Sequence, residues 1–377
     1  MSIPKKHQKL KLLFVMGTRP EAIKLAPLIQ RAKKDPRFTP VICLTGQHRQ
    51  MTDQVMSLFK MKADFDLNLM TKNQTLGDIA QRVLSRIKTV FNKSRPDLVL
   101  VQGDTTTAFS AALAASYQKI KVAHVEAGLR SFDKNNPFPE ETNRVLISRI
   151  ADFHFAPTTQ AKTNLLSEGI SSQNIWVTGN TIVDALESLK PLVNRQHWLP
   201  IRENLLANRK LVLVTAHRRE SFGKPLLSIC HAIKDLSEKF PDLLFVIPVH
   251  PNPSVQSVIR RELSTLSSIL LIAPVSYIQC LSLISTSHFI LTDSGGVQEE
   301  APSFHKPVLV LRNKTERPEG IAAGVAKLVG TSKTKIISEV SKLLSNGKRY
   351  KKMTSLSNPY GDGRASQKIL NILAKAI

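Results

Sequence analysis

Asp104, Glu126 and Glu140 follow apolar runs or open helical ones in a chain with 53 Lys+Arg against 29 Asp+Glu. Carboxylates so placed can move protons or steady developing positive charge. Asp104 comes just after LVLVQ, in GDTTTAFSAALAA. It either caps the next helix, with Thr105 to Thr107 satisfying free amides, or offers a carboxylate to a ligand. Glu126 ends the run KVAHVE, where a carboxylate costs free energy unless it is paired, here with Arg130, or carries a perturbed pKa for function. Glu140 and Glu141 follow Pro139 at a helix start, where negative charge also suits the helix dipole.

The cations and glycines form a second set. GTRPEAIKLAPLI follows the first apolar run. Gly17 permits a tight turn, Pro20 suits the first helical position, and Arg19 with the helix N-terminus offers positive charge to an anion. VTAHRRES places His217 beside Arg218 and Arg219, and VIPVHPNP holds His250 in a proline-braced loop. In ILTDSGGVQEEAP, Ser294, Gly295 and Gly296 lie between a strand and an amphipathic helix. Their backbone N–H groups suit a diphosphate, while Glu299 and Glu300 suit ribose hydroxyls. The segment is neither a GxxxxGK[ST] loop nor a GxGxxG fingerprint.

These residues need strands to carry them. Eleven apolar runs without polar alternation predict parallel strands buried on both faces: 12–16, 40–45, 98–102, 121–126, 153–157, 175–179, 211–216, 243–249, 268–273, 288–293 and 307–312. Helical patterns intervene, as in Ile79, Val83, Leu84, Ile87, Val90 and Phe91. The expected class is α/β, with two Rossmann-like doubly wound domains and an interdomain cleft. Pro191, Pro200 and a polar stretch set the boundary, giving domains 1–190 and 191–361, with a helix at 362–377 packing back on the first. Ligands of such sheets bind beyond the carboxyl ends of the strands, where the singled-out residues fall.

Composition narrows the rest. At 377 residues the chain suits two domains. Cys43, Cys230 and Cys280 are far apart and form no CxxC, which argues against a disulfide framework or thiolate zinc site and suits a reducing, cytoplasmic setting. No stretch reaches the roughly 18 apolar residues of a membrane span. The net charge of +24 is spread along the chain, with some concentration over Lys333, Lys335, Lys342, Lys348, Arg349, Lys351 and Lys352. Aromatic residues are only 6% and are not interleaved with bases, so the charge reads as solvated lysine faces. Neither a nucleic-acid partner nor a membrane partner is expected.

The ordered set GTRPEAIKLAPLI, TGQHRQM, GDTTT, HVEAGLRS, PEETNR, VTGNTIVDAL, TAHRRESFG, VHPNP, TDSGGVQEEAP, TERPEG and NPYGDGRAS resembles the non-hydrolysing UDP-N-acetylglucosamine 2-epimerases. That family has a GT-B-like fold. The motifs span residues 17 to about 366, and their order makes the resemblance specific. It implies reversible inversion at C2 to UDP-N-acetylmannosamine by elimination and re-addition of UDP through a 2-acetamidoglucal. No cofactor and no metal are implied. By motif position, catalysis falls on Asp104, Glu126, Glu140 and His217. Contacts with UDP fall on Arg19, His250, Ser294, Gly295, Gly296 and Glu300, with Lys24 and Arg317 as further cleft residues.

The resemblance also implies an allosteric UDP-sugar near Gln47, Gln50 and Arg218, a homodimer, and a supply role for bacterial surface polysaccharides. Asn73, where many activated members carry arginine, reads as a weakened activator site. Lys314 departs from the family's usual RDTTERPE. A hydrolysing relative releasing UDP and N-acetylmannosamine, or a 2-epimerase of a modified UDP-sugar, is the alternative. TERPE and TGQHRQM weigh against these two respectively, and the acidic set weighs against a glycosyltransferase.

Overall fold

The computed structural model describes residues 9–47, 49–71, 74–135, 137–194, 198–218 and 221–377. They divide into two compact units, residues 1–188 with 361–377, and residues 189–360.

The first unit is built on seven parallel strands: β1 (Leu10–Met16), β2 (Phe38–Leu44), β3 (Phe65–Asp66), β4 (Leu98–Gln102), β5 (Lys121–Val125), β6 (Phe153–Ala156) and β7 (Ile175–Val177). Their order is β3-β2-β1-β4-β5-β6-β7. Helices α1 (Arg19–Lys34), α2 (Arg49–Leu58), α3 (Leu76–Ser94), α4 (Thr106–Tyr117), α5 (Glu140–Ile150), α6 (Thr159–Ser167) and α7 (Thr181–Val193) follow the strands in turn. The winding reverses between β1, which pairs with β2, and β4, which pairs with β5. Loops after those two strands therefore border the crevice in which such sheets bind ligands.

The sequence pattern explains the packing. Ile79, Val83, Ile87, Val90 and Phe91 form the buried stripe of α3, capped by Thr75 at its start. In α4 the buried face is made of alanine, serine and threonine, so the helix lies close on the sheet. Leu13, Val15, Val99, Val101 and Val122 meet these helices in one core. Each such buried aliphatic side chain contributes about 1.5–3 kcal/mol.

The second unit repeats the plan with β8 (Lys210–Thr215), β9 (Leu243–Pro248), β10 (Ile269–Ile272), β11 (Phe289–Thr292), β12 (Val308–Val310) and β13 (Ala326–Leu328). Their order is β10-β9-β8-β11-β12-β13, so the reversal lies between β8 and β11. Its helices are α8 (Lys224–Lys239), α9 (Pro253–Leu263), α10 (Tyr277–Thr286), α11 (Gly295–Glu300), α12 (Pro318–Ala322), α13 (Lys333–Ser345) and α14 (Gly347–Ser355). The chain's last helix, α15 (Ala365–Ala376), belongs to the first unit, where the Asp184 carboxylate accepts the N–H groups of Ala365 (3.1 Å) and Ser366 (2.8 Å).

All eleven apolar runs form strands, with ends differing from the expected bounds by up to two residues. Two strands carried no apolar signal: β3 and β13 are two- and three-residue edges with charged or half-exposed members.

Candidate functional site

In the first unit, three loops carry the chemistry. The turn after β1 runs through Gly17 and Thr18 into α1, with Thr18 as N-cap and Pro20 in the first turn. Gly17 is obligatory here, because a Cβ would stand 2.3 Å from the Thr45 hydroxyl and 2.8 Å from that of Thr107. Arg19 opens α1 half-buried. Glu21 is buried and accepts from the main-chain N–H of Gly17 (2.8 Å) and of Thr18 (2.6 Å). Burial pushes its pKa above the ordinary carboxylate value, against the pull of these hydrogen bonds.

Lys24, one turn further, pairs with Glu126, the residue after β5. Both are buried. Glu126 holds a left-handed backbone at φ +68°, which is strained for a side chain of its size, and accepts a bond from Asn180 Nδ2 at 3.0 Å. The expected pairing with Arg130 is therefore replaced. Arg130 instead forks onto Glu168 at 2.6 and 2.8 Å and bonds the Ser148 hydroxyl at 2.9 Å. The nearer arginine in sequence is drawn away by a carboxylate on α6's C-terminal side, and a lysine from α1 takes its place.

Asp104 does not cap α4. Thr105 does, its hydroxyl accepting from Ala108 N at 3.0 Å. The Asp104 carboxylate is left to pair with Arg144, which also donates to Glu141 at 2.9 Å. Glu141 in turn accepts the N–H groups of Ser131 (3.0 Å) and Phe132 (3.1 Å), so it organises the loop before α5. Glu140 opens α5, one turn before Arg144, and its Oε2 is buried without a hydrogen-bond partner among the described residues. A carboxylate oxygen left so is available to a ligand. Asp104, Glu141 and Arg144 thus gather at the carboxyl end of β4, beside the strand that leads to Glu126, and Glu140 is the chain neighbour of Glu141. Beneath them, His124 is fully buried, bonded through Nε2 to the Gly103 carbonyl at 2.7 Å, and burial lowers its pKa to about 3.

Gln47 accepts the Thr107 hydroxyl at 2.7 Å. Gln50 lies on α2, its side chain outside the described atoms, while Asn73 and Arg219 lie outside the described residues.

In the second unit a buried carboxylate again ties the two loops at the winding reversal. Asp293, after β11, accepts the main-chain N–H of His217 (2.7 Å) and of Arg218 (2.8 Å), which follow β8. The His217 ring stacks on that of His250, with centroids 5.3 Å apart and planes 7° from parallel. Ser294 precedes Gly295 and Gly296, which open α11. This helix is only six residues long and almost wholly buried, not amphipathic, so its role is to hold the turn. A Cβ on Gly295 would meet Glu316 Oε1 at 3.2 Å and Arg218 Nη2 at 3.5 Å.

Glu316 collects cations: Arg312 at 2.5 Å and Arg218 at 3.4 Å. Burial raises its pKa, but Arg317, Arg312 and Arg218 outweigh this and bring it to about 2. Arg317 pairs with Glu299, which is 1% exposed. Glu300 accepts the Tyr277 hydroxyl at 3.1 Å. Guanidinium groups at a glycine-rich turn suit the oxygens of a diphosphate.

Sequence reasoning passed over Glu21, Arg144, Asn180, Asp293 and Glu316. Glu21 had a local signal, standing three residues after the N-cap Thr18, and so did Asp293, which ends an apolar run as Glu126 does. Asn180 acts through Glu126, distant in the chain, and Arg144 and Glu316 each join a near partner to a distant one.

No helix among the described residues is long and apolar enough to cross a membrane. A Campylobacter jejuni UDP-N-acetylglucosamine 2-epimerase is 49% identical over 375 residues, covering 97% of each chain. The Bacillus subtilis enzyme of that name is 49% identical over 366 residues, 97% of this chain and 95% of its own. The crystal structure of the Neisseria meningitidis enzyme, bound to UDP-GlcNAc, superposes with a TM-score of 0.90 at 48% identity, covering 97% of this chain and 100% of that one. The family model described as UDP-N-acetylglucosamine 2-epimerase matches residues 30–374, and the chain belongs to that family.

Proposed function

We propose that the chain inverts C2 of UDP-N-acetylglucosamine reversibly, giving UDP-N-acetylmannosamine without net release of UDP. A carboxylate takes the C2 proton as the C1–O bond to UDP breaks, and the freed electron pair forms the C1=C2 bond of 2-acetamidoglucal. UDP then adds back to C1 while a proton is delivered to the other face of C2. Asp104, Glu126 and Glu140 serve the sugar, and His217 serves the departing diphosphate. Arg19, His250, Ser294, Gly295, Gly296 and Glu300 serve UDP, with Lys24 and Arg317 as further substrate-binding residues.

One observation carries this reading: the carboxylates of Asp104 and Glu141 converge on Arg144 in the first unit, and one carboxylate oxygen of the neighbouring Glu140 is buried without a hydrogen-bond partner among the described residues. Family membership supplies the substrate class. The test is anion-exchange analysis of the nucleotide pool after incubation with UDP-N-acetylglucosamine. The total of UDP-sugars should stay constant while a second UDP-sugar appears. Accumulation of free UDP with matching N-acetylmannosamine would replace the proposal with the hydrolysing reaction.

A further inference from the structure

Glu21 is 1% exposed, and its carboxylate collects donors from two separate loops. Its Oε2 accepts the N–H of Gly17 (2.8 Å), the N–H of Thr18 (2.6 Å) and the Thr18 hydroxyl (2.9 Å). Its Oε1 accepts the Thr105 hydroxyl at 2.5 Å. Helix capping alone explains only the bonds to the turn before α1. It does not explain the fourth bond, which crosses from the loop after β1 to the loop after β4, the two strands at which the winding reverses.

Chemistry makes the link directional. The Thr105 oxygen already accepts the Ala108 N–H at 3.0 Å, so its proton is free to go to Glu21. Every partner of the Glu21 carboxylate is a donor, and a glutamine would turn an NH2 group toward one of them. Burying a carboxylate is unfavourable unless such bonds are made, and these raise the cost of any movement of either loop. The residue next to Thr105 is Asp104, whose carboxylate pairs with Arg144 and whose carbonyl accepts Asn143 Nδ2 at 2.9 Å.

We propose that Glu21 is a positioning residue for Asp104: through Thr105 it fixes the turn after β4, so that the Asp104 carboxylate keeps one orientation toward the reacting sugar. The inference rests on the reading that Asp104 acts on the sugar. Misplacing a reacting group by about 1 Å is enough to lower turnover roughly a hundredfold.

The test is steady-state kinetics on the full chain with Thr105→Val, Thr105→Ser, Glu21→Gln, the double variant Thr105→Val with Glu21→Gln, and Asp104→Asn, with a melting curve for each. Thr105→Val and Glu21→Gln should each lower kcat by about 10- to 100-fold while KM changes by about twofold or less. The double variant should be no worse than the poorer single one, because both cut the same link. Thr105→Ser keeps the hydroxyl and should restore kcat to within about threefold of the parent. Should Glu21→Gln not fold, the Thr105 pair decides alone. Unchanged kcat in Thr105→Val, additive losses in the double variant, or failure of serine to rescue would each overturn the inference. If Asp104→Asn is inactive and Thr105→Val is normal, only the role of Glu21 falls. If Asp104→Asn keeps full activity, the assignment of Asp104 falls with it.

Discussion

Lys24 and Glu126 form a buried ion pair that joins α1 to the end of β5 in the first unit. Breaking one partner of such a pair strands a charge, whereas replacing both by neutral groups is far milder. Lys24→Met should therefore cost about 3–5 kcal/mol in urea unfolding. Adding Glu126→Gln should return most of that stability but leave the enzyme inactive, because the proposed sugar-side carboxylate is gone. Stability and turnover recovering together in the double variant would show that Glu126 has a structural role only.

Arg144 offers a second separation. It bonds Asp104 and Glu141 through different nitrogens of one guanidinium. Lysine cannot reproduce that fork. Arg144→Lys should lower kcat by about 10- to 100-fold with a small change in KM, as expected when a reacting group is displaced. A kcat within twofold of the parent would show that Asp104 is oriented by other bonds.

Glu316 predicts the acid limb of stability in the second unit. Its folded pKa of about 2 lies below the ordinary 4.5, so the unfolded chain binds the proton first as pH falls. The stabilisation is present in full above about pH 4.5 and is lost toward about pH 2, with a total of roughly 3 kcal/mol. Urea midpoints between pH 5 and 2 should fall less steeply for Glu316→Gln than for the parent. The same variant should alter UDP affinity, since Arg218, Arg312 and Arg317 lose the charge that gathers them.

His124 acts in a higher window. Its folded imidazole stays neutral down to about pH 3, while the unfolded one takes a proton near the ordinary 6.5. Here too the unfolded state binds more protons, so stability falls as pH drops below about 6.5, by at most about 1.4 kcal/mol per unit. Glu21 and Asp184, whose pKa values burial raises, work in the opposite sense, so the difference between variants is the readout. His124→Gln should flatten the slope between pH 6.5 and 4.5. An unchanged slope there would mean that His124 is charged or exposed in the folded chain.

Much of the architecture was legible in the chain because parallel strands buried on both faces need unbroken apolar runs, and these stand out. β3 and β13 were not legible, since two or three residues on a sheet edge need no such run. Positions of site residues were readable where they follow a strand, as with Asp104, Glu126, His217 and Ser294. Their partners were not. Glu126 takes Lys24 from 102 residues away rather than Arg130 from four, and Thr105 rather than Asp104 caps α4. Pairing of this kind depends on which loops the sheet order brings together, and strand order at a winding reversal has no local signature.

The most direct measurement is proton NMR of the purified protein with UDP-N-acetylglucosamine in D2O. Proton removal and return at C2 predict UDP-N-acetylmannosamine carrying deuterium at C2, with UDP still attached. Product that keeps its original C2 proton, or free N-acetylmannosamine beside UDP, would contradict the mechanism proposed for these residues.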